Sequence, residues 1–596
     1  MRQFDRSFHV SLSLHKAIKV TPGRINRILK KDINISEQDL KYANDNYPLT
    51  KKPNDTHKQN HVKRKVKRGI PPKILELASR KGSISSNVKD PSGKTKINIL
   101  QHVKNLDKRM VGHKTRRPNQ IIWSKPGIID THGELQQVKS PESDKLPTLA
   151  HELSDILKTN GIQYHRPEAD NIKIDYLEKF NHFNESFIPP SKDSKLFDIT
   201  KEKGKTYFSS TSSMTSTLFT FYKLINHYSP DFDRRFKFKF TNLMTNLPTS
   251  FILSRKAPET FAVESDKSGD RETFLSKFGH ISEALLTNET KEIENFKRIF
   301  DNNLDADASK GLVDKYQKFS NPENVYNMAI YDKFLMRSQL DCFDVDLPGN
   351  GTFDLKSRAI GEIRYDISNP DIKSTTYSDK FSHKDEFNDL IRTGGLFKYS
   401  TQARIGQMDG IFISYHNLRH YLGFEYLKIE DIDKIYFNDS PVSNGIGDIQ
   451  FKVSIKIWGK ILDSIREDLN SDNYRVLLHH NLKFGIMEIF AVPLTTQQVD
   501  HLQAISKNSQ GSPTKHQEDL VAFNESTLDS NVLNYELSVN SYEGGKLLSP
   551  GILPQNLDNY SFSYKISRKQ PNINHYNNLL YNFVKPLQIS DKRPQQ

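Results

Sequence analysis

One cysteine, Cys342, stands in 596 residues. That excludes intrachain disulfides and any zinc or iron–sulfur site built from several thiolates. It suits a reducing compartment or the mitochondrial matrix, and Cys342 itself reads as a small core residue. No run of 18 apolar residues occurs, so no membrane-spanning helix is expected. The G-x-x-x-x-G-K-S/T loop is missing, which argues against an ATP-driven helicase or kinase. Serine-hydrolase and Cys-His motifs are missing too. His416 and His420 have i,i+4 spacing, but they follow a strand pattern and no metzincin-type glutamate lies between them. His479-His480 reads as an exposed strand end.

Charge is plentiful but unevenly placed. Charged residues make up 27% of the chain and hydrophobic ones 35%, so part of it is expected to be unpacked. Residues 1–140 carry 31 Lys+Arg against 11 Asp+Glu, a net +20, whereas the other 456 residues carry 55 against 61, a net −6. The basicity therefore belongs to an N-terminal arm, which suits a polyanion such as nucleic acid or an anionic membrane surface. Residues 1–30 open with Arg2, Arg6, Lys16 and Lys19 against the single acid Asp5, and resemble a mitochondrial transit peptide. Residues 31–145 are expected to be a disordered basic arm. Within it, Lys63, Arg64, Lys65, Lys67 and Arg68, and then Arg116 and Arg117 after Lys114, are candidates for sequence-independent phosphate contact. The first cluster could equally be a nuclear-localisation signal, or both could be a solvated linker.

Ordered structure is expected from Leu146, in one domain over 146–504, followed by a polar linker at 505–530 and C-terminal strands and tail at 531–596. Helices are predicted at 146–159, 214–227, 271–285, 287–300, 385–407 and 449–468, the fifth interrupted at Gly394-Gly395. Strands are predicted at 249–254, 260–264, 325–343, 410–415, 423–428, 474–480 and 484–492. The hydroxyl-rich entry Tyr207–Ser213 reads as capping for the second helix, with phosphate binding as the alternative. The order is mixed α/β.

The stretch from Arg337 to Arg358, RSQLDCFDVDLPGNGTFDLKSR, reads as two strands about a Pro/Gly/Asn-rich reversal. Asp354 and Lys356 share one face, because strand side chains alternate. An aspartate, a hairpin-length gap and an acid-x-Lys suit a metal-dependent phosphodiesterase, with two carboxylates for a hard cation and a lysine beside the attacking water. Parity selects Asp341 over Asp344 and Asp346 as the partner of Asp354. A tight Asn350-Gly351 turn is the better local signal, but it would separate the two by about six residues, roughly 20 Å. A shared site requires a wide loop, roughly Val345 to Asn350, in which Asp354 pairs directly with Asp341.

The order αβββαβ, with Asp on the second strand and Asp-x-Lys on the third, resembles the PD-(D/E)XK nuclease superfamily, in its RecB-like and lambda-exonuclease-like branch. The expected fold is that restriction-endonuclease-like α/β core with added helices and strands. Four blocks, Tyr207–Thr215, Phe334–Asp341, Phe353–Ala359 and Tyr399–Gly410, resemble the fungal mitochondrial RNA 5′-end-processing, PET-class family. The resemblance covers about residues 200–500. It implies a metal-dependent 5′-to-3′ exoribonuclease that acts on mitochondrial RNA and cooperates with the RNA-decay and transcription machinery. It also implies a matrix location with peripheral association to the inner membrane. On the same resemblance Asp341 and Asp354 hold Mg²⁺ or Mn²⁺ together with a backbone carbonyl and waters, and Lys356 orients the nucleophilic water. Glu283 supplies a first-helix acid, with Glu264 and Glu294 as alternatives. Gln402 supplies the later-helix glutamine, with Gln407 as runner-up. Arg337, Arg358 and Arg404 are candidates for the scissile or 5′-terminal phosphate, against ordinary pairing with surface acids. Three other functions stay open: a non-catalytic RNA-processing factor of the same fold, a DNA-directed nuclease, and a membrane-peripheral adaptor.

Overall fold

A computed structural model describes most of residues 120–589; the principal stretches outside the described residues are 165–187, 228–246, 271–278, 280–285, 292–324 and 360–379. The transit-peptide segment, both basic clusters and Glu283 and Glu294 lie outside them, as do most of the helices predicted at 271–300.

In chain order, β1 (Ile121–Ile129) and β2 (Gln136–Lys139) precede a short helical segment at 151–158 and β3 (Gln163–Tyr164). Next come α1 (Ser194–Glu202), β4 (Tyr207–Ser210) and α2 (Thr211–Ile225). Two hairpins follow, β5 (Thr249–Ala257) with β6 (Thr260–Ser265), and β7 (Tyr326–Tyr331) with β8 (Phe334–Gln339). β9 (Cys342–Phe343) and β10 (Thr352–Ala359) come before α3 (Lys380–Arg392) and α4 (Gly395–Gly406). β11 (Gly410–His416), β12 (Tyr421–Lys428), α5 (Ile429–Tyr436) and α6 (Ser443–Asp468) succeed them. The chain continues with β13 (Asn473–Asn481), β14 (Ile486–Leu494), α7 (Thr496–Asn508) and α8 (Pro513–Ser526). It ends with β15 (Leu533–Glu543), β16 (Lys546–Leu547), β17 (Tyr560–Lys569) and α9 (Ile573–Ile589).

Two sheets result. The larger has twelve strands in the order β1-β17-β15-β14-β13-β5-β6-β4-β8-β7-β2, with β16 on β15; the smaller has five, β3-β12-β11-β10-β9. β7, β8, β10, α4 and β11 follow one another as strand, strand, strand, helix and strand, and the class is mixed α/β as expected. β10 and β11 run parallel, which demands a crossover, and α3 and α4 lie within it. Gly394 separates those helices at φ +74°, a left-handed conformation that favours glycine, and a side chain there would run into Phe219.

Burial follows the expected periods. β7 alternates half-buried and buried, whereas β11 is buried at every position because both its faces are covered. α6 buries Ile446, Gln450, Val453, Ile457, Trp458, Ile461, Leu462 and Ile465 at three- and four-residue spacing, the stripe of a helix against a core. Trp458 meets the rings of Phe221, Phe251 and Phe334 from three other elements.

Two segment expectations are corrected. Residues 121–139, assigned to the basic arm, supply β1 and β2; β1 pairs along its length with β17 as an edge of the large sheet. β1 reads IIWSKPGII: Ser124 to Gly127 interrupt its apolar residues, so no period-2 alternation marks it, and a proline is tolerated there because the strand is an edge. The linker at 505–530 is instead the end of α7 and all of α8. Ile505, Leu520, Phe523 and Leu528 pack with Leu502, Tyr576 and Leu579 in a core of their own. A few apolar residues at helical spacing suffice for that in a segment otherwise polar throughout.

Candidate active site

The two sheets meet where β8 gives way to β9, at Leu340-Asp341. β9 pairs antiparallel with β10, Phe343 opposite Thr352 and Cys342 opposite Phe353. Extending that register by one residue sets Asp341 opposite Asp354. The connection is therefore wide, spanning Asp344 to Gly351, and the Asp344 N–H donates to the Gly351 carbonyl at 2.8 Å. No tight Asn350-Gly351 turn forms. Gly351 takes φ +68° where a side chain would meet the Asp344 carbonyl.

Four side chains converge there. Asp354 is fully buried on β10, and its Oδ1 accepts from Gln402 Nε2 of α4 at 2.8 Å. Lys356 Nζ lies 2.7 Å from Asp354 Oδ2 and 3.7 Å from Asp341 Oδ2, so the ammonium sits between the carboxylates. Asp341 Oδ2 also accepts from the Leu355 backbone N–H at 3.1 Å, standing in for a strand carbonyl just beyond the end of β9. Burial above all holds the Asp354 carboxyl well above the usual carboxylate range; Lys356 opposes that, and the neighbouring Asp341, within hydrogen-bonding reach, adds to it.

Asp354 Oδ2 is buried without an aligned hydrogen-bond donor, although the Lys356 ammonium is close by. A buried oxygen in that condition, beside a second carboxylate and the Leu355 carbonyl, is an acceptor set that a hard divalent cation fits. Mg²⁺ and Mn²⁺ are commonly held by one or two carboxylates, with water and phosphate oxygens completing the shell. Among the described residues no cluster of three or more Asp, Glu, His or Cys gathers, so no all-protein cage is present.

The expected arginines are placed otherwise. Arg337 is buried, ion-paired with Asp193, bonded to the Ile188 carbonyl at 2.7 Å and set over the Tyr326 ring. Arg404 is tied to Asp433 and, at 3.0 Å, to Asp448, anchoring α4 to α5 and α6. Arg358 pairs with Asp389 and Glu386 of α3. All three carry carboxylate partners instead of presenting an open edge to phosphate. A sequence shows an arginine but not the acid that folding will bring to it. Gln407 ends α4 at φ +52° and reaches the Leu135 carbonyl, so Gln402 is the glutamine at the site. Glu264 lies on β6, bonded by Gln503 of α7.

Asp409 had drawn no notice in the sequence. It follows α4, and its carboxylate faces the tip of the wide loop, where burial raises it and the nearby backbone N–H groups of Gly351, Thr352 and Asn350 pull it back. An acid followed by glycine at the entry to a strand was the available signal. On the same sheet face, the row Lys356–Ile413–Glu425 continues outward to β12. Burial lifts Glu425 to about 7, and Tyr415 hydrogen-bonds it.

The family model described as mitochondrial protein Pet127 matches residues 187–463. A Saccharomyces cerevisiae relative, PET127, named for the mitochondrial translation system, is 28% identical over 443 residues, covering 61% of this chain and 52% of its own. A Schizosaccharomyces pombe relative, the mitochondrial mRNA degradation protein pet127, is 28% identical over 372 residues, covering 58% of this chain and 67% of its own. The chain thus spans about half the length of the first and two thirds of the second. Solved structures give looser likenesses. Scheffersomyces stipitis Rai1, bound to (3′-NADP)+ and calcium, matches at 15% identity and a TM-score of 0.29, over 59% of this chain and 86% of its own. K. lactis Dxo1, bound to manganese, matches at 10% identity and a TM-score of 0.29, over 63% and 92%. Scores of that size add no weight to the geometry. The matched span takes in every strand and helix that builds the carboxylate pocket, and over that span the chain is similar to the family described as mitochondrial protein Pet127.

Proposed function

We propose that this protein is a divalent-metal-dependent phosphodiester hydrolase that digests mitochondrial RNA from its 5′ end, in processing and decay. The observation that carries the reading is the convergence of Asp341, Asp354, Lys356 and Gln402 about one buried, incompletely satisfied carboxylate oxygen. The S. pombe relative's name supports RNA decay, and the direction of digestion comes from the resemblance of the four sequence blocks. The two relatives named as mitochondrial support that location. No described helix is long and apolar enough to cross a membrane.

Asp341 and Asp354, with the Leu355 carbonyl, would hold Mg²⁺ or Mn²⁺. Such an ion supplies Lewis-acid polarisation of a phosphate and eases deprotonation of water. Gln402 fixes the Asp354 carboxylate through Oδ1 and leaves Oδ2 turned to the site. The Lys356 ammonium is placed to orient a water against the phosphorus and to stabilise it as its proton leaves. Burial of Asp354 excludes bulk water and strengthens each of these interactions.

The test is incubation of the full chain with 5′-monophosphorylated RNA and with single-stranded DNA, each with Mn²⁺, Mg²⁺ or EDTA, beside Asp354→Asn and Lys356→Ala. Metal-dependent shortening of RNA that both variants lose is expected. Intact RNA in every lane would overturn the enzymatic reading, and cleavage of DNA alone would redirect it to DNA.

A further inference from the structure

The pocket around Asp354 is closed at its floor and open on one side. The Asp354 side chain is fully buried, whereas those of Asp341 and Lys356 keep 11% and 21% of their surface. The way in from solvent therefore runs by Asp341 and the Lys356 ammonium. One aromatic ring stands at that approach. The centroid of the Tyr399 ring is 6.0 Å from Lys356 Nζ. Tyr399 comes three residues before Gln402 on α4, so the two side chains leave the helix on one side. Gln402 reaches Asp354, and Tyr399 stands by the lysine two residues farther along β10.

The two aromatic residues of α4 are placed differently. Phe397 packs against Tyr222 at 4.1 Å, Tyr436 at 5.3 Å and Phe219 at 5.5 Å between ring centroids. Tyr399 is half-buried and rests partly on the core. Among the described residues it has no ring partner, and its hydroxyl neither accepts nor donates a hydrogen bond. Nor is that hydroxyl one of the buried, unsatisfied groups, so it faces water. A ring that only filled the core would be enclosed as Phe397 is. A flat face left open beside a cation and two carboxylates is a surface on which a nucleobase can lie while its phosphate meets the ammonium.

We propose that Tyr399 is the stacking platform for one unpaired nucleobase of the strand held at the Asp354 pocket, which makes single-stranded nucleic acid the substrate class. The strand's presence at that pocket rests on the nuclease reading. A base inside a duplex is already stacked and paired, and reaches the ring only if it is first unstacked. Every base has a π-face, so the platform accepts any sequence. With its backbone at Lys356 and its base on Tyr399, a nucleotide is gripped at both ends, which fixes its phosphate against the carboxylates.

The experiment pairs changes in the protein with changes in the nucleic acid. It uses the full chain, the variants Tyr399→Leu and Tyr399→Phe, and Phe484→Leu as an exposed aromatic control. The probe is a labelled 5′-monophosphorylated single-stranded oligoribonucleotide, intact or with an abasic nucleotide at each of its first few positions in turn. Dissociation constants are measured with Ca²⁺, and kcat and KM with Mn²⁺. Tyr399→Leu is expected to bind the intact strand about tenfold more weakly. At one abasic position it should bind as the parent does, because the base that would lie on the ring is gone. Tyr399→Phe and Phe484→Leu should stay near the parent on every strand, and a blunt RNA duplex should be bound alike by parent and Tyr399→Leu. A loss of the same size on the intact and every abasic strand would overturn the proposal, since a poorly folded variant gives that pattern. So would Tyr399→Phe as weak as Tyr399→Leu. Position-specific coupling in a parent that cleaves nothing with Mn²⁺ would keep the platform and remove the nuclease reading. Cleavage by the parent with no coupling at any position would do the reverse, and a parent that neither binds nor cleaves RNA would remove both.

Discussion

Two aspartates lie deep in this molecule beside a cationic side chain, and they are treated in opposite ways. Asp266, in the large-sheet region, accepts from Arg475 Nε at 2.7 Å, from Ser250 Oγ at 2.7 Å, and from the N–H and hydroxyl of Ser268. Arg475 is in turn held by Asn524 of α8 at 2.6 Å. Burial opposes the charge, but Arg475 and the serines outweigh it, and the carboxyl is held below its usual range. Asp354 has Gln402, a lysine and a second carboxylate for neighbours, and its carboxyl stands well above that range. A satisfied buried pair fastens elements together; here α8 is fastened to the sheet. An unsatisfied one, with a like charge beside it, is what a structure keeps where a cation is to be bound.

The largest effects should come from exchanging the roles of these two sites. Arg475→Met leaves Asp266 buried without its cation and should cost about 3–5 kcal/mol in a denaturant titration. Asp354→Asn should leave stability unchanged or raise it, while cleavage falls on the order of 10³-fold. If Asp354→Asn unfolds the protein and Arg475→Met does not, the contrast between the sites is wrong.

Next in size is the response to metal. An ion held by Asp341 and Asp354 stabilises the folded chain by about 2.7 kcal/mol when present at a hundred times its dissociation constant. Mn²⁺ should therefore raise the melting temperature of the parent and of Asp266→Asn, but not that of Asp354→Asn. An equal rise in all three would place the ion elsewhere.

The two sites should also tilt the dependence of stability on pH in opposite directions. An unfolded aspartate titrates near about 3.9. The Asp266 carboxyl is depressed in the fold, so its contribution is present above that value and lost as pH falls through the folded one. Asp354 is raised, so its contribution is present below the unfolded value and lost as pH rises towards the folded one. Glu425 adds a second raised acid: between about 4.5 and about 7 its burial costs stability, on the order of 2 kcal/mol. Glu425→Gln should flatten the decline over that window, as read by melting temperature in EDTA. A decline equally steep in the variant would show that the Tyr415 bond, not burial, governs this residue.

The contrast also marks what the sequence could disclose. Period-2 parity within one short stretch singled out Asp341 from three aspartates, and the chemistry required the wide loop that the β9–β10 register has. The break between α3 and α4 was visible because glycine carries its own conformational signature. Asp266 and Arg475 are 209 positions apart, and no local pattern joins them. Nor could Arg337, Arg358 or Arg404 be sorted into phosphate ligands and structural cations, since their acids come from α1's N-cap, α3, α5 and α6. Helix α8 escaped because composition records how polar a segment is, not whether its few apolar residues, Leu520 and Phe523 among them, share a side.

The smallest effect expected is at Asp409, which touches neither site directly. Its carboxylate lies near three backbone N–H groups at the tip of the wide loop, and the Asp409 N–H itself donates to the Thr352 carbonyl at 2.8 Å. The loop's width sets the register that brings Asp341 opposite Asp354, so this carboxylate is a positioning group for both. Asp409→Ala removes the carboxylate that faces these amides, which should cost about 1 kcal/mol. Asp409→Asn keeps one accepting oxygen and should recover part of the loss. Amide hydrogen exchange at residues 350–352 should quicken in the alanine variant, and kcat should fall several-fold with KM little changed. If exchange quickens while kcat holds, the pairing of β9 with β10 fixes the two aspartates without the loop. The Asp354 site would then be set by strand pairing alone, as the Asp266 site is set by the paired strands β5 and β13 that bring Ser250 and Arg475 to it.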